Sequence, residues 1–425
     1  MRTDKRNVTL RSKLHSNRQQ ARNPSGKLPY PKFLNQQRTY DLNDRGIFYN
    51  PYEQYLVDIF MVGGGGGGGR DRGGGGGGGE VVEVYDYPLW YGEKYVPIVG
   101  RGGEGGVDAD RFDDEGLPTK EKQQAEKGTA SQFRQAALPF FDEETDELLL
   151  IAHGGNPGGE RGKDGGGGAE VRGAGGGAGS GTDGLGNPKL GGAVNISGNG
   201  GGGSANSGGG GGGFLEDGKA GFTTEDGDRQ GGDGGRGLTL NYLFNAFPNF
   251  HTAQNAKGED VEISYGNGGG GGTKGGAAPS SGGNGVGGYA PIGNADGVDA
   301  LPDTGSGGGG AGKSRDGGNG SAGIIFIRFH PLLNSPNAEC EIVFRDFSTG
   351  LPLSMSQFYP QNSPVVSHMP DGSTIVRVKR IFNGGFENSN NVISFRVLKK
   401  LKLGDSGPVS PDITMSKPTC TRIIK

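Results

Sequence analysis

Residues 61–80 read MVGGGGGGGRDRGGGGGGGE, two runs of seven glycines parted only by Arg-Asp-Arg. They follow directly on the apolar, strand-like run YLVDIFMV. Glycine loses more backbone entropy on ordering than any other residue. Such runs therefore leave the chain two outcomes. Either they are flexible linker, or they are ordered in an arrangement that only a residue without a Cβ can enter.

The distribution of glycine bears on the choice. Of 94 glycines in 425 residues, two precede Gly63 and six follow Gly323. Between those positions about one residue in three is glycine. The chain thus divides into an arm (1–53), a glycine-rich body (54–329) and a tail (330–425). Collagen requires glycine at every third position without slippage; here the runs are contiguous, as in SGGGGGGF, or irregular, as in GGERGKDGGGGAE. A linker seldom recurs many times inside a body whose first and last elements, QYLVDIFMV and GGNGSAGIIFIRF, are both good strands. Disorder between them would leave both as sticky edges without a core. Ordered polyproline-II helix is the alternative. Seven glycines span about 22 Å in that form, roughly the length of a five- to six-residue strand. Packed side by side, all-glycine helices bring backbones close enough for N–H···O=C bonds and Cα–H···O contacts. The expected fold class is mainly β and irregular. It comprises a glycine-rich body of packed polyproline-II-type helices with flanking β-strands, plus a small antiparallel β C-terminal domain.

Within the body, EVVEVYDYPLWYGEKYVPIVG suggests two short strands around a turn at Tyr87-Pro88. A charged insertion follows at about 107–127, where PTKEKQQAEKGTASQFRQAA could hold a short helix ended by Gly128. Residues 138–152 read as a hairpin, with apolar arms Leu138–Phe141 and Leu148–Ala152 around an acidic loop. The tail alternates β-branched runs with Gly, Pro and Asn, which predicts five or six antiparallel strands.

The net charge of −4 hides an asymmetry, because residues 1–50 carry eleven Lys or Arg against three acids. Such an arm suits an acidic partner surface. A protein partner is favoured over nucleic acid, since the basic residues are scattered and no nucleic-acid-binding fold surrounds them. The opening residues lack the apolar stretch of a signal peptide, and no window of 18 apolar residues predicts membrane insertion. Two cysteines, Cys340 and Cys420, are too few for a disulfide framework.

The order of these segments resembles the glycine-rich domain of bacteriophage tail-fibre and adhesin proteins. A strand enters MVGGGGGGG, and a second run precedes LWYGEKYVPIVGRGGEGG; GTASQF and LLLIAHGGNPGG follow, and NGSAGIIFIRF closes the domain. The last of these is the most specific, and the resemblance covers about 54–329. The long insertion and the enlarged acidic hairpin depart from the pattern. The resemblance implies a non-enzymatic structural protein of a virion, of tail-fibre, spike or adhesin type. Its arm, with Arg2, Arg6, Arg11, Lys13 and Arg18, would dock on other virion proteins, and its loops would contact a host surface protein or glycan. A head-surface or connector protein that binds no receptor is the alternative, and oligomeric state is left open.

Motifs for chemistry are weak. Gly307–Ser314 satisfies G-x-x-x-x-G-K-S, with Lys313 and Ser314 in the phosphate and Mg²⁺ roles, but neither a buried strand before it nor a helix after it is in view. Asp226, Asp228 and Asp233 have a spacing that could hold Ca²⁺, yet no complete calcium signature is present, and a solvated turn is favoured. The acids Asp142, Glu143, Glu144, Asp146 and Glu147 read as exposed turn residues rather than a glycosidase pair. The five histidines fall in no catalytic order. No catalytic group, cofactor or metal is therefore expected. Two aromatic segments stand out. Tyr85–Tyr91 is expected in the core, whereas Tyr242, Phe247 and Phe250 could equally fill core or contact a host or neighbour.

Overall fold

The computed structural model describes residues 54–108, 122–136, 146–166, 176–177, 197–204, 206–223, 229–239, 252–274, 279–330, 338–346, 366–368, 372–380 and 393–401. Among the described residues sixteen strands run in chain order. The first eight are β1 (Gln54–Val62), β2 (Val81–Trp90), β3 (Lys94–Ile98), β4 (Ser131–Gln135), β5 (Glu147–Ala152), β6 (Phe222–Thr223), β7 (Arg229–Gln230) and β8 (Leu238–Thr239). The others are β9 (Thr252–Gln254), β10 (Asp260–Glu262), β11 (Ser264–Tyr265), β12 (Ile324–Phe329), β13 (Ala338–Asp346), β14 (Val366–His368), β15 (Thr374–Lys379) and β16 (Ile393–Leu401). Among the described residues the nearest approach to a helix is a three-residue turn, Gly283–Gly285, and none is long and apolar enough to cross a membrane. The protein is mainly β and irregular.

Two five-stranded antiparallel sheets, ordered β14-β15-β12-β1-β2 and β13-β16-β3-β4-β5, pack face to face. Alternation along β1 sends Tyr55, Val57, Ile59 and Met61 into the inter-sheet core, where they meet Tyr95, Phe133 and Phe395 of the other sheet. Tyr95 and Phe133 stack with ring centroids 5.7 Å apart and planes 3° from parallel. The other face of β1 is buried too. Phe60 and Val62 join Phe326, Phe214, Leu238 and Tyr265 in a second cluster supplied partly by the glycine-rich body. Burial on both faces explains why β1 reads as an almost unbroken apolar run. Its one acid, Asp58, stands where the β1–β2 register slips between Val57 and Ile59.

The glycine runs leave the end of this sandwich, and their amides follow a period of three. Gly63, Gly66 and Gly69 donate to the carbonyls of Glu80, Gly77 and Gly74; Gly64 and Gly67 donate to Thr129 and Glu126; Gly65 and Gly68 donate to Ser321 and Gly318. Three other segments donate to the same run: Gly155 and Gly158 to Gly64 and Gly67, Gly103 and Gly106 to Gly65 and Gly68, and Gly308 and Ala311 to Gly66 and Gly69. All thirteen bonds measure 2.8–3.0 Å. A polyproline-II helix has three residues per turn and no internal hydrogen bonds. Its N–H groups therefore point in three directions and its carbonyls in three more, giving six neighbours in hexagonal array. The run 73–79 is held likewise, all seven amides donating to other segments.

Space rather than backbone angle demands glycine here. None of the glycines in either run has a left-handed φ. A Cβ built on Gly64, Gly67 or Gly68 would lie within 3.0 Å of the carbonyl of Arg101, Glu104 or Gly309 respectively. Disordered linker is thereby ruled out for residues 63–79. Arg-Asp-Arg is the reversal between two antiparallel helices, with Asp71 and Arg72 at φ 42° and 58°. Asp71 N–H donates to Arg315 O (3.1 Å), Arg72 N–H to Gly312 O (2.9 Å), and Asp71 Oδ1 accepts from Ser314 N–H (3.1 Å). Arg70, buried at the same turn, pairs with Glu160, which also binds Lys163. Burial pushes the Glu160 carboxyl up, but the hydrogen bonds and charges of Lys163 and Arg70 outweigh it and hold the group below its usual range.

Three expectations need correction, and a fourth falls partly outside the described residues. Pro88 does not mark a turn: β2 runs through it, which an edge strand tolerates because the missing N–H faces away from the sheet. The chain reverses instead at Tyr91–Gly92, with Gly92 at φ 79°. The expected helix is absent from its described part, residues 122–130, because Glu126 and Thr129 give their carbonyls to the first glycine run. The hairpin closing on Glu147–Ala152 uses Ser131–Gln135 as its partner arm; Leu138–Phe141 lie outside the described residues. The tail strands are antiparallel, as expected, but among the described residues they form no sheet of their own. β15 pairs with β12 and β16 with β3, so the tail completes both sheets of the sandwich. Tyr85, Tyr87 and Leu89 are buried, as the core reading of that segment required.

Replacing Gly67 by alanine is expected to destabilise the protein by about 3 kcal/mol or more, because backbone on a neighbouring helix must move. Gly162→Ala, at φ 75° with open space around it, is expected to cost about 1–2 kcal/mol from backbone strain alone. Urea unfolding midpoints compare the two, and equal losses would refute the close-packing account. Glu160→Gln should lower stability at neutral pH by leaving Arg70 buried beside a neutral partner. A carboxyl whose folded pKa lies below its unfolded value stabilises above the unfolded value, about 4.3, and loses that contribution as pH falls through the folded one. The difference between wild type and variant should thus shrink as pH falls below the usual carboxylate range; a gap of constant size would show that ion pairing is not its source.

Candidate functional site

The residues that the sequence offers for contact, Arg2, Arg6, Arg11, Lys13, Arg18, Tyr242, Phe247 and Phe250, lie outside the described residues. Two of the weaker motifs do not. The amides of Gly307 through Gly312 all donate to backbone carbonyls, among them those of Gly66, Gly69 and Gly270. Ser314 N–H is bound to Asp71 Oδ1. None of these seven amides is left to cradle a phosphate, so the P-loop pattern is a by-product of glycine packing. Asp233 is likewise committed: its Oδ2 lies 2.9 Å from Lys219 Nζ and its Oδ1 accepts from Ser281 N–H at 3.0 Å. Asp226 and Asp228 are outside the described residues.

A cleft of about 530 Å³ opens on the flank of the glycine body. One wall is the β9–β10 hairpin. Its turn is built by Asn255, whose Oδ1 accepts from the N–H groups of Lys257 (2.9 Å) and Glu259 (3.0 Å), and by Gly258 at φ 76°. The short polar side chain satisfies the turn amides that a hairpin this tight leaves over. The facing wall is held backbone to backbone, Val298 N–H to Tyr289 O (3.0 Å) and Leu301 N–H to Val286 O (2.9 Å). Val286, Val298, Leu301 and Pro302 supply apolar surface, and Gln254 and Asp299 supply polar groups. Lys257 Nζ lies 4.7 Å from the centre of the Tyr289 ring, a cation–π contact across the cleft. Ile292 is 54% exposed three residues beyond Tyr289.

This combination of an aromatic ring, apolar surface and amides suits a ring-sized or side-chain-sized group, held by stacking and hydrogen bonds. The segment 240–251, with four aromatics (Tyr242, Phe244, Phe247 and Phe250), immediately precedes β9 in the chain. The sequence shows Tyr289 and Ile292 as an apolar interruption, GGYAPIG, among glycines. It does not show Lys257 above the ring, because that pairing depends on how the glycine helices assemble.

No curated protein and no solved structure matched the chain. A family model described as a glycine-rich domain matches residues 45–330. That span takes in both seven-glycine runs, the cleft and β12, two thirds of the sequence. The chain belongs to the glycine-rich domain family.

Proposed function

We propose that this chain is a structural protein of a bacteriophage virion, of tail-fibre, spike or adhesin type, anchored by its N-terminal arm and contacting the host surface. The observation that carries the reading is the construction of the body. All fourteen amides of the two seven-glycine runs are tied to other backbone segments, so rigidity there does not depend on side chains. Connecting loops can then change sequence without disturbing their support, which suits a surface that must track a changing target. The resemblance of the segment order to phage tail-fibre and adhesin domains supports the same reading. The basic arm residues Arg2, Arg6, Arg11, Lys13 and Arg18 would bind other virion proteins. The cleft beside Tyr289, together with Tyr242, Phe247 and Phe250, would meet a host surface protein or glycan. The chain acts at the particle surface and carries out no catalysis.

The test is binding of the full-length protein, and of a form lacking residues 1–50, to host cells and to particles stripped of this protein. Both forms are expected to bind cells, and only the full-length form to bind particles. Tyr289→Ala should weaken cell binding about tenfold, as loss of an aromatic anchor does, and leave particle binding unchanged. Decoration of particles without binding to cells would instead identify a head-surface or connector component.

A further inference from the structure

We propose that Asp58, Asp86 and His330 form a site for one divalent transition-metal ion, Zn²⁺ by ligand type, at the β1–β2 bulge beside the end of β12. The three side chains come from β1, β2 and the residue after β12, and one ligand atom from each lies within 4.8 Å of the other two. His330 Nε2 is 2.9 Å from Asp58 Oδ1 and 3.7 Å from Asp86 Oδ1. Bonds of about 2.1 Å to zinc subtend ligand separations of about 3.0–3.4 Å in octahedral or tetrahedral geometry, between those two values. One imidazole and two carboxylates suit zinc better than magnesium or calcium, which take oxygen alone.

Two further observations separate this cluster from an ordinary group of surface charges. The first is the direction of His330 Nε2. The atom is buried and, although an oxygen lies 2.9 Å away, it makes no hydrogen bond of acceptable geometry. A short N···O approach without hydrogen-bond alignment is what two ligands of one ion adopt, since the lone pairs of both atoms aim at a third point. The second is the bulge. Tyr85 and Asp86 together occupy the place opposite Asp58, and Asp86 sits at φ 50°, inside a strand and without being glycine. Bulges re-aim side chains, and backbone strain of this kind collects at functional positions. Here it turns the Asp86 carboxylate toward Asp58, which is 4% exposed, and lets the Asp86 N–H donate to Asp58 Oδ1 at 3.0 Å. Asp58 Oδ2 faces Arg328, whose Nη1 is 3.6 Å away and whose Nε donates to Ser373. Arg328 offsets one of the two carboxylate charges, and Oδ1, which accepts the Asp86 N–H, keeps its second lone pair for the ion.

The site would clamp the middle of β1 and of β2 to the end of β12. It is tested by titrating ZnCl₂ into tag-free, chelator-stripped full-length protein in a calorimeter, with MgCl₂ as the control ion and thermal unfolding followed in parallel. One Zn²⁺ per chain is expected to bind, raising the unfolding midpoint, while Mg²⁺ does neither. Asp86→Asn keeps a residue that tolerates the left-handed conformation, and His330→Gln removes the imidazole. Each should weaken Zn²⁺ about tenfold or more, while the metal-free midpoint stays near that of the wild type. Absence of Zn²⁺ binding below about 1 mM, or wild-type affinity in either variant, would overturn the proposal and leave the cluster as an Asp–His–Asp–Arg charge network.

Discussion

The backbone hydrogen bond between polyproline-II segments lying closer than any side chain would permit is the interaction on which this structure depends. In helices and sheets, backbone bonds are made within an element or along a ladder, and side chains fill the space between layers. In the body of this protein the order is inverted. The backbone itself is the packed interior, its N–H and C=O groups answering one another across six directions. This satisfies the requirement that buried amides be paired without any regular helix or ladder. The cost is compositional: wherever a segment is surrounded, nearly every position facing a neighbour is glycine, with Ala311 an exception.

The sandwich complements that interior. Tyr55, Phe60, Tyr95, Phe133, Phe326, Phe329 and Phe395 are all buried in or against its two sheets. Most of the apolar burial thus lies at one end of the molecule and most of the non-ladder backbone pairing in the body. The sheets also organise the glycine segments. β1, β3 and β5 run directly into glycine segments at residues 63, 99–106 and 153, whereas β2, β4 and β12 are entered from them. Strand order therefore decides which segments start out side by side. β1 lies beside β2 and β12, and the first glycine run accordingly donates to Glu80 and to Ser321.

Much of this was legible in the sequence, and the misses share a cause. Contiguous glycines exclude collagen, and two strong strands bracketing them argue against linker; those inferences need only local information. The errors at Pro88, at residues 122–130 and in the tail arose where a neighbour distant in sequence decides the conformation. Pro88 is acceptable because β2 is an edge. Glu126 and Thr129 are extended because their carbonyls are needed by Gly67 and Gly64. β15 and β16 look like a self-contained set of strands, and their patterns say nothing of β12 and β3, which they join. The cleft was hidden for the same reason: Lys257 and Tyr289 are ordinary residues until the glycine helices bring them together. Local pattern reveals which elements exist, and partners at long range settle where they go.

The position of β12 has a consequence for how such a chain is made. The body opens with β1 and closes with β12, and these two are hydrogen-bonded neighbours across the middle of one sheet. Neither sheet is complete until β15 and β16 have been added. The central glycine run has partners drawn from the beginning, middle and end of the body, so no early fragment contains a finished unit that could fold ahead of the rest. Contacts of such long range make folding slow, and they also make it conditional on a nearly whole chain. A polypeptide that stops short, whether through stalling or a premature stop, keeps its glycine segments unpaired and open to proteolysis. Folding itself then acts as an inspection step that only complete copies pass.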